Sequence, residues 1–164
     1  MFATIDQDRA RLEQFLPWVP KTLSVQDSQS YIQSTLARWE NSELFDYGLF
    51  TKAKSTYVGN VGVHTLDWVN ECCEIGYWIA GAFSGQGLIS EAVQMLTETA
   101  FEVGFHRVEI RCEPGNQKSA NVPKLLGFLS EGCLRQNLKS ANGKFRDTLV
   151  FARLNPRQGE QENV

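Results

Sequence analysis

The sequence lacks any apolar run approaching the roughly 18–20 residues that cross a bilayer, and no signal peptide is visible. It lacks zinc spacing as well. The four cysteines, Cys72, Cys73, Cys112 and Cys133, form no C-x-x-C, and the two histidines stand apart as His64 and His106. No metal is expected, and the thiols read as reduced and mostly buried in a cytoplasmic protein. A cysteine nucleophile would need a partner base, and nothing in the spacing ties either histidine to a cysteine. An excess of one charge is also missing. Lys and Arg number 16 against 19 Asp and Glu, a net charge of -3. Neither nucleic acid nor an anionic membrane is expected as a partner. Repeats and low-complexity segments are absent. What remains is an ordinary globular composition, 42% hydrophobic and 21% charged over 164 residues, enough for one core without staples.

The chain order is legible from periodicity. Residues 1–16 read as a helix with Ile5, Leu12, Phe15 and Leu16 near one face, stopped by Pro17 and Pro20. A second helix is expected over 25–39, with Tyr31, Ile32, Leu36 and Trp39 inward. Strands are expected at 45–52, 57–67 and 71–80, then a long helix at 87–103. Residues 106–112 alternate, with Val108, Ile110 and Cys112 on one face and Arg107, Glu109 and Arg111 on the other. A short helix at 118–125 follows Pro114-Gly115-Asn116. Strands at 128–139 and 145–154 close the chain as a hairpin around Asn142-Gly143. The domain is expected over 1–155, and 156–164 as a polar tail.

The central stretch runs from Glu74 to Ala92. A short apolar strand passes through Ser84-Gly85-Gln86-Gly87 into a helix whose apolar residues fall at Leu88, Ile89, Ala92, Val93, Leu96, Ala100 and Phe101. The first N–H groups of such a helix have no partner inside it and lie at the positive end of its dipole, which suits a phosphate. Gly85 and Gly87 carry no Cβ to hold a phosphate off. The same glycines would also serve a simple turn. A P-loop is not matched, because Leu88 follows Gly87 where Gly-Lys-Ser/Thr would continue.

An ordered set of motifs accompanies this stretch: Glu74-Ile75-Gly76-Tyr77-Trp78, Gly85-Gln86-Gly87 with Ser90-Glu91-Ala92, Arg107-Val108-Glu109-Ile110, Asn116-Gln117-Lys118-Ser119, Gly127-Phe128-Leu129-Ser130-Glu131-Gly132, and Asp147. In that order the chain resembles the GCN5-related N-acetyltransferases (GNAT), in the branch that acetylates N-termini of bacterial ribosomal proteins. The resemblance implies an α/β fold of the GNAT type. Its central sheet is mixed and mostly antiparallel, with a splayed parallel pair of strands at about 74–80 and 106–112 and flanking helices. It also implies acetyl-CoA as donor and an amine as acceptor, either a protein N-terminus or a small molecule.

By the same resemblance, backbone of Gly85, Gln86, Gly87 and Leu88, with Ser90, holds the pyrophosphate. Tyr77, Trp78 and Ile79 offer main chain to the pantetheine arm and thioester. Asn116 contacts that arm, and Ser119 lies near the sulfur and protonates the leaving thiolate. The residues alone leave helix capping open for Asn116 and Ser119. Glu74 is either the proton acceptor or a structural acid. Asp147 is either an amine contact or a hairpin residue. Near Asn137, where relatives can carry an acid, this chain has an amide, which accepts no proton as a base. Trp18, Trp39, Trp68 and Tyr47 are candidates for an acceptor pocket or for core.

Two departures bear on the expectation. Ser84 and Ile89 stand at the ends of the family's loop pattern, Arg/Gln-x-x-Gly-x-Gly/Ala. The strand that normally precedes the opening helix is also missing. That leaves 45–52 as an edge that invites pairing, in a short form that dimerises or in a chain whose start lies upstream. A domain that binds acyl-CoA without efficient transfer is the competing reading.

Overall fold

The computed structural model describes residues 1–140 and 143–156. The expected Asn142 turn residue and the tail beyond Pro156 lie outside the described residues. Five helices are described: α1 (Phe2–Gln7), α2 (Arg9–Leu12), α3 (Val25–Glu40), α4 (Leu88–Glu102) and α5 (Gln117–Leu125). The strands are β1 (Phe45–Phe50), β2 (Tyr57–Asp67), β3 (Cys72–Ile79), β4 (Arg107–Cys112), β5 (Leu129–Lys139) and β6 (Phe145–Leu154). They form one sheet in the order β1-β2-β3-β4-β6-β5, antiparallel except for β3 and β4.

The sheet has two different faces because its strands alternate. Val61 and Val63, Cys73 and Ile75, Val108 and Ile110, and Phe151 point to one side. There α4 lays Ile89, Ala92, Val93, Leu96 and Ala100 against them, and Ala120 of α5 completes the core. Each large apolar side chain buried this way contributes about 1.5–3 kcal/mol. The other face carries Asn60, Gly62 and His64 from β2, Glu74, Gly76 and Trp78 from β3, and Arg107, Glu109 and Arg111 from β4. A smaller cluster of Ile5, Leu12 and Val19 covers its Trp78 end, where Trp18 meets the Trp78 ring edge-on at 5.8 Å.

Two expectations for the first third are corrected. The opening helix is broken at Asp8, whose φ of -124° departs from helical geometry, so α1 and α2 are short pieces rather than one rod. In α3, the buried residues are Ser28 and Thr35, not the apolar set. Small side chains on that line let the helix lie close to a polar, glycine-containing sheet face. Tyr31, Ile32, Leu36 and Trp39 straddle the line and stay well exposed, Leu36 by 61%. The start of α3 is set by a capping box, Ser24 accepting from the Asp27 N–H while Asp27 accepts from the Ser24 N–H.

The aromatic candidates are dispersed. Trp39 packs edge-on against Phe45 and Tyr47 at the β1 edge, and Trp68 lies against Phe105. Of the four cysteines, all free, only Cys73 is buried, and Cys133 is exposed. Among the described residues β1 pairs only with β2, so its outer edge is open.

Candidate functional site, a split between two parallel strands

β3 and β4 stay together for three pairs only, Cys72↔Arg107, Cys73↔Val108 and Glu74↔Glu109. Beyond Glu74 each strand follows its other neighbour. β3 continues along β2 to Ile79↔Gly59, and β4 along β6 to Cys112↔Leu149. The split leaves one backbone edge of β3 without a strand. Which groups lie on it follows from antiparallel alternation. Ala80 N–H donates to Val58 O at 2.8 Å, so residues 74, 76, 78 and 80 direct their backbone toward β2. Tyr77 and Ile79 therefore direct theirs into the split. Of the three strand residues expected to offer main chain there, Trp78 does not; it contributes its side chain.

After Ile79 a 3-10 turn at Gly81–Phe83 leads to Gly85 and Gly87, with φ of 81° and 80°. Both values lie in the left-handed region that side chains rarely adopt, and this brings the chain round into α4 within a few residues. Gly87 is the N-cap and provides no side-chain cap, so the first-turn N–H groups face outward with the helix dipole behind them. The Gln86 amide folds back to donate to Ala82 O at 3.1 Å, bracing the loop from behind.

A cleft of about 660 Å³ joins the split to this loop. Its wall includes Tyr77, Trp78, Ile79, Gly85, Gly87, Leu88, Ser90, Asn116 and Ser119. These are the cofactor residues expected from sequence, apart from Gln86. Tyr77 and Trp78 point to opposite faces of the sheet and both line the cleft, so the split is open from one face to the other. The Asn116 side chain accepts from the Ser119 N–H at 3.2 Å and caps α5. The Tyr77 hydroxyl donates to the Ser119 carbonyl at 2.9 Å, and Ser119 Oγ lies 3.4 Å from the Tyr77 oxygen. Burial pushes the Tyr77 phenol well above its ordinary pKa, so it stays protonated.

Glu74 and Asp147 lie elsewhere. Glu74 stands at the last paired position before the split, on the polar face, 3.6 Å from Arg111 Nε and 4.0 Å from His64 Nε2. Burial raises its pKa, Arg111 opposes that and Glu109 adds to it. Arg111 also donates to Glu109 at 2.7 Å, and Glu109 accepts from Arg107 at 2.7 Å, so opposite charges alternate across β4 up to Glu74. Asp147 accepts from the Gln136 N–H at 2.8 Å and holds the irregular part of β5, where Gln136 has φ 51°. That is the hairpin position.

Arg11, Phe15 and Lys118 also line the cleft and are not among the expected site residues, although Phe15 lies on the expected apolar face of the first helix and Lys118 in the motif that ends at Ser119. Arg11 donates to Ile79 O at 2.6 Å, occupying one acceptor on the open edge of β3. Its partner Asp8 accepts from the Gly81 N–H at 2.7 Å. This ion pair from the broken first helix thus clamps the strand end and the turn that leads to the glycine loop. Among the described residues no group of three or more His, Cys, Asp or Glu side chains could hold a metal, and no helix is long and apolar enough to cross a membrane.

A helix N-terminus made by a glycine loop, next to a strand split from its parallel neighbour, sets anion-attracting N–H groups beside an open strand edge. Residues 1–129 match the family model described as an acetyltransferase (GNAT) domain. The chain belongs to that family. It is 45% identical over 105 residues to YdaF of Bacillus subtilis (strain 168), provisionally named a ribosomal N-acetyltransferase; the match spans 63% of this chain and 56% of YdaF. With the ribosomal-protein-serine acetyltransferase of Escherichia coli (strain K12) it shares 27% over 155 residues, 94% of this chain and 85% of the relative. Among solved structures, RimL, a ribosomal L7/L12 alpha-N-protein acetyltransferase in complex with coenzyme A, superposes with a TM-score of 0.87 at 26% identity, covering 93% of this chain and 85% of RimL. The microcin C7 self-immunity acetyltransferase MccE, in complex with acetyl-CoA and AMP, gives 0.86 at 26% identity, covering 93% and 84%.

The Arg11 guanidinium holds the Asp8 carboxyl below its ordinary range against the opposing effect of burial, and the Gly81 N–H adds to this. Asp8→Ala is expected to lower stability by about 2 kcal/mol, the range for a hydrogen-bonded charged group. For a domain of this size that is roughly 2–4 °C of melting temperature per kcal/mol. The deficit is full at neutral pH. It shrinks as pH falls through the depressed native pKa of Asp8, because the wild-type carboxyl then loses its charge as well. Thermal melts of both proteins across that range check it.

Proposed function

We propose that this protein transfers an acetyl group from acetyl-CoA to a primary amine, with a protein N-terminus as the acceptor class. The observation that carries the reading is the open edge of β3, with the Tyr77 and Ile79 N–H groups facing a cleft that ends at the uncapped start of α4. An extended arm bearing amides and a diphosphate fits that arrangement, and the nearby Gly85 and Gly87 put no Cβ in its way. Backbone N–H groups from Gly85 to Leu88 hold the diphosphate, with Gln86 contributing main chain only and Ser90 its hydroxyl. The Tyr77 and Ile79 backbone pairs with the arm as an added strand would.

Acetyl-CoA, when bound, supplies an acetyl group already activated as a thioester. The chain's residues prepare the rest. The Tyr77 proton is committed to the Ser119 carbonyl, whereas the Ser119 hydroxyl makes a long 3.4 Å contact with the Tyr77 oxygen and a second contact with the Cys112 thiol. Of the two hydroxyls, Ser119 is the one that can turn from these weaker contacts and give a proton to a departing thiolate. Asn116 fixes the backbone that carries Ser119. Glu74 supplies negative charge on the polar face of the sheet, which draws an ammonium in and favours its charged form until a base takes the proton. Asp147 acts in the hairpin. A protein acceptor is supported by the relatives named for ribosomal proteins. The likeness to MccE makes a small amine the comparison arm of any assay. The net charge of -3 argues against a nucleic-acid partner, and a cytoplasmic location belongs to the same proposal. The open edge of β1 supports a homodimer.

Acetyl-CoA at about 100 times its dissociation constant is expected to stabilise the protein by about 2.7 kcal/mol, with ATP giving no comparable shift. Equal melting temperatures with and without acetyl-CoA would sink the cofactor assignment. Ser119→Ala is expected to reduce kcat for acetylation of an N-terminal peptide roughly 100-fold, with acetyl-CoA affinity little changed. Thiol release and calorimetry read the two quantities separately. Light scattering after size exclusion is expected to give twice the chain mass; a monomer at all concentrations would remove the dimer.

A further inference from the structure

A second cavity, of about 750 Å³, opens on the polar face of the sheet, between the end of α3 and β2. Arg38, Glu43, His64 and Trp68 are among its lining residues, and nothing in the acetyl-transfer reading has used it. His64 sits directly opposite Glu74 in the β2–β3 register. Its ring lies over Gly76: a Cβ there would stand 2.8 Å from His64 Nε2. Gly76 belongs to the part of β3 that has left β4, beside the point where the split opens through the sheet. His64 thus borders both the cavity and the polar side of the split.

We propose that His64 is a catalytic residue that takes the proton from the acceptor ammonium, with Glu74 beside the same ring nitrogen as its charge partner. The proposal rests on the acetyl-transfer reading and adds the acceptor side to it. The ammonium enters through the cavity. One N–H bond of the ammonium breaks and its proton passes to Nε2, leaving a neutral amine with a free lone pair and an imidazolium. The role requires Nδ1, 2.9 Å from Thr65 Oγ1, to carry the other ring proton and donate it to that hydroxyl. The imidazolium faces the Glu74 carboxylate at 4.0 Å and discharges its proton to water through the open cavity. Glu74 is less suited to meet the amine itself. It does not line the cavity, and Arg111 stands 3.6 Å from its second oxygen.

The charges around the imidazole fit this order of events. Glu74 faces it from β3, Arg111 from β4 and Arg38 from α3; Glu43 is 3.8 Å from Arg38, and Tyr31 completes the cavity wall. Burial, then Arg38 and Arg111, hold His64 below the ordinary histidine pKa, so at neutral pH the ring keeps the lone pair it needs. Without Glu74 the imidazole would lose the carboxylate that faces it at 4.0 Å, and the influence of the two arginines on it would grow.

The test uses the whole chain and the variants H64Q and E74Q, with an N-terminal peptide as acceptor. NMR titration of the two histidines in the ligand-free protein, assigned by the signal lost in H64Q, gives the His64 pKa directly. It is expected to fall further in E74Q and to coincide with the acid limb of kcat/KM in the wild type. H64Q is expected to lose that limb and about 100-fold in kcat/KM, while acetyl-CoA raises its melting temperature as in the wild type. H64N serves as the second substitution where H64Q alone lowers stability. An unchanged acid limb and rate in a folded His64 variant, or a His64 pKa indifferent to E74Q, overturns the proposal and leaves acetyl transfer standing. A wild-type protein that binds acetyl-CoA yet acetylates no amine removes the transfer reading, and this role with it.

Discussion

The parting of β3 from β4 after Glu74 is the constraint on which the rest of the site depends. A sheet that stayed paired to the end would bury the Tyr77 and Ile79 backbone in a ladder and offer nothing to a ligand. Instead each strand keeps one partner, β2 or β6, and the freed edge faces a cleft. An unmet backbone group sealed from water would cost about 1–3 kcal/mol. Here the cleft is open, so water meets those groups until a ligand replaces it. Arg11 takes the Ile79 carbonyl at the mouth, and Asp8 holds the following turn. Because the glycine loop starts at the same strand end, the phosphate-binding and arm-binding groups share one rigid support.

The two faces of the sheet divide the labour. Under α4 and α5 the face is apolar and packed, which anchors α4 and keeps its N-terminus aimed at the cleft. The opposite face carries alternating charge from Arg107 to Glu74 and small or polar residues along β2 and β3. Burying such a face under an apolar helix would leave charges unpaired, and α3 instead buries only Ser28 and Thr35 and reaches β1 through Tyr31 and Trp39. The split reaches both faces, since Tyr77 and Trp78 both line it. A donor held on one side can thus be approached from the other.

Local chemistry explains what is legible in the sequence. Gly85 and Gly87 mark a turn whose positive φ few other residues adopt, and the apolar spacing from Leu88 onward can only be a helix face. The alternation of Arg107, Glu109 and Arg111 against Val108, Ile110 and Cys112 assigned both faces of β4 correctly. Misjudgements arose where a neighbour decided the outcome. The apolar residues of α3 looked inward because periodicity reports an amphipathic helix, not the partner it meets. Trp78 looked like its neighbours Tyr77 and Ile79 because a strand's hydrogen-bonding direction depends on pairing. Asp147 and Glu74 are both acids on strands; the bulge at Gln136 and the end of the β3–β4 ladder give them different positions.

The sequence by itself determined the order of elements, the glycine loop, the polar and apolar faces of the central strands, and the family they compose. These are matters of backbone freedom and side-chain period within a few residues. Only the tertiary structure decided that β3 leaves β4 after three pairs, and that Arg11 crosses 68 positions to reach Ile79. It alone set His64 over Gly76 beside Glu74. Contacts of that kind join residues remote in the chain, and they are fixed by how whole strands and helices pack, which no local pattern encodes.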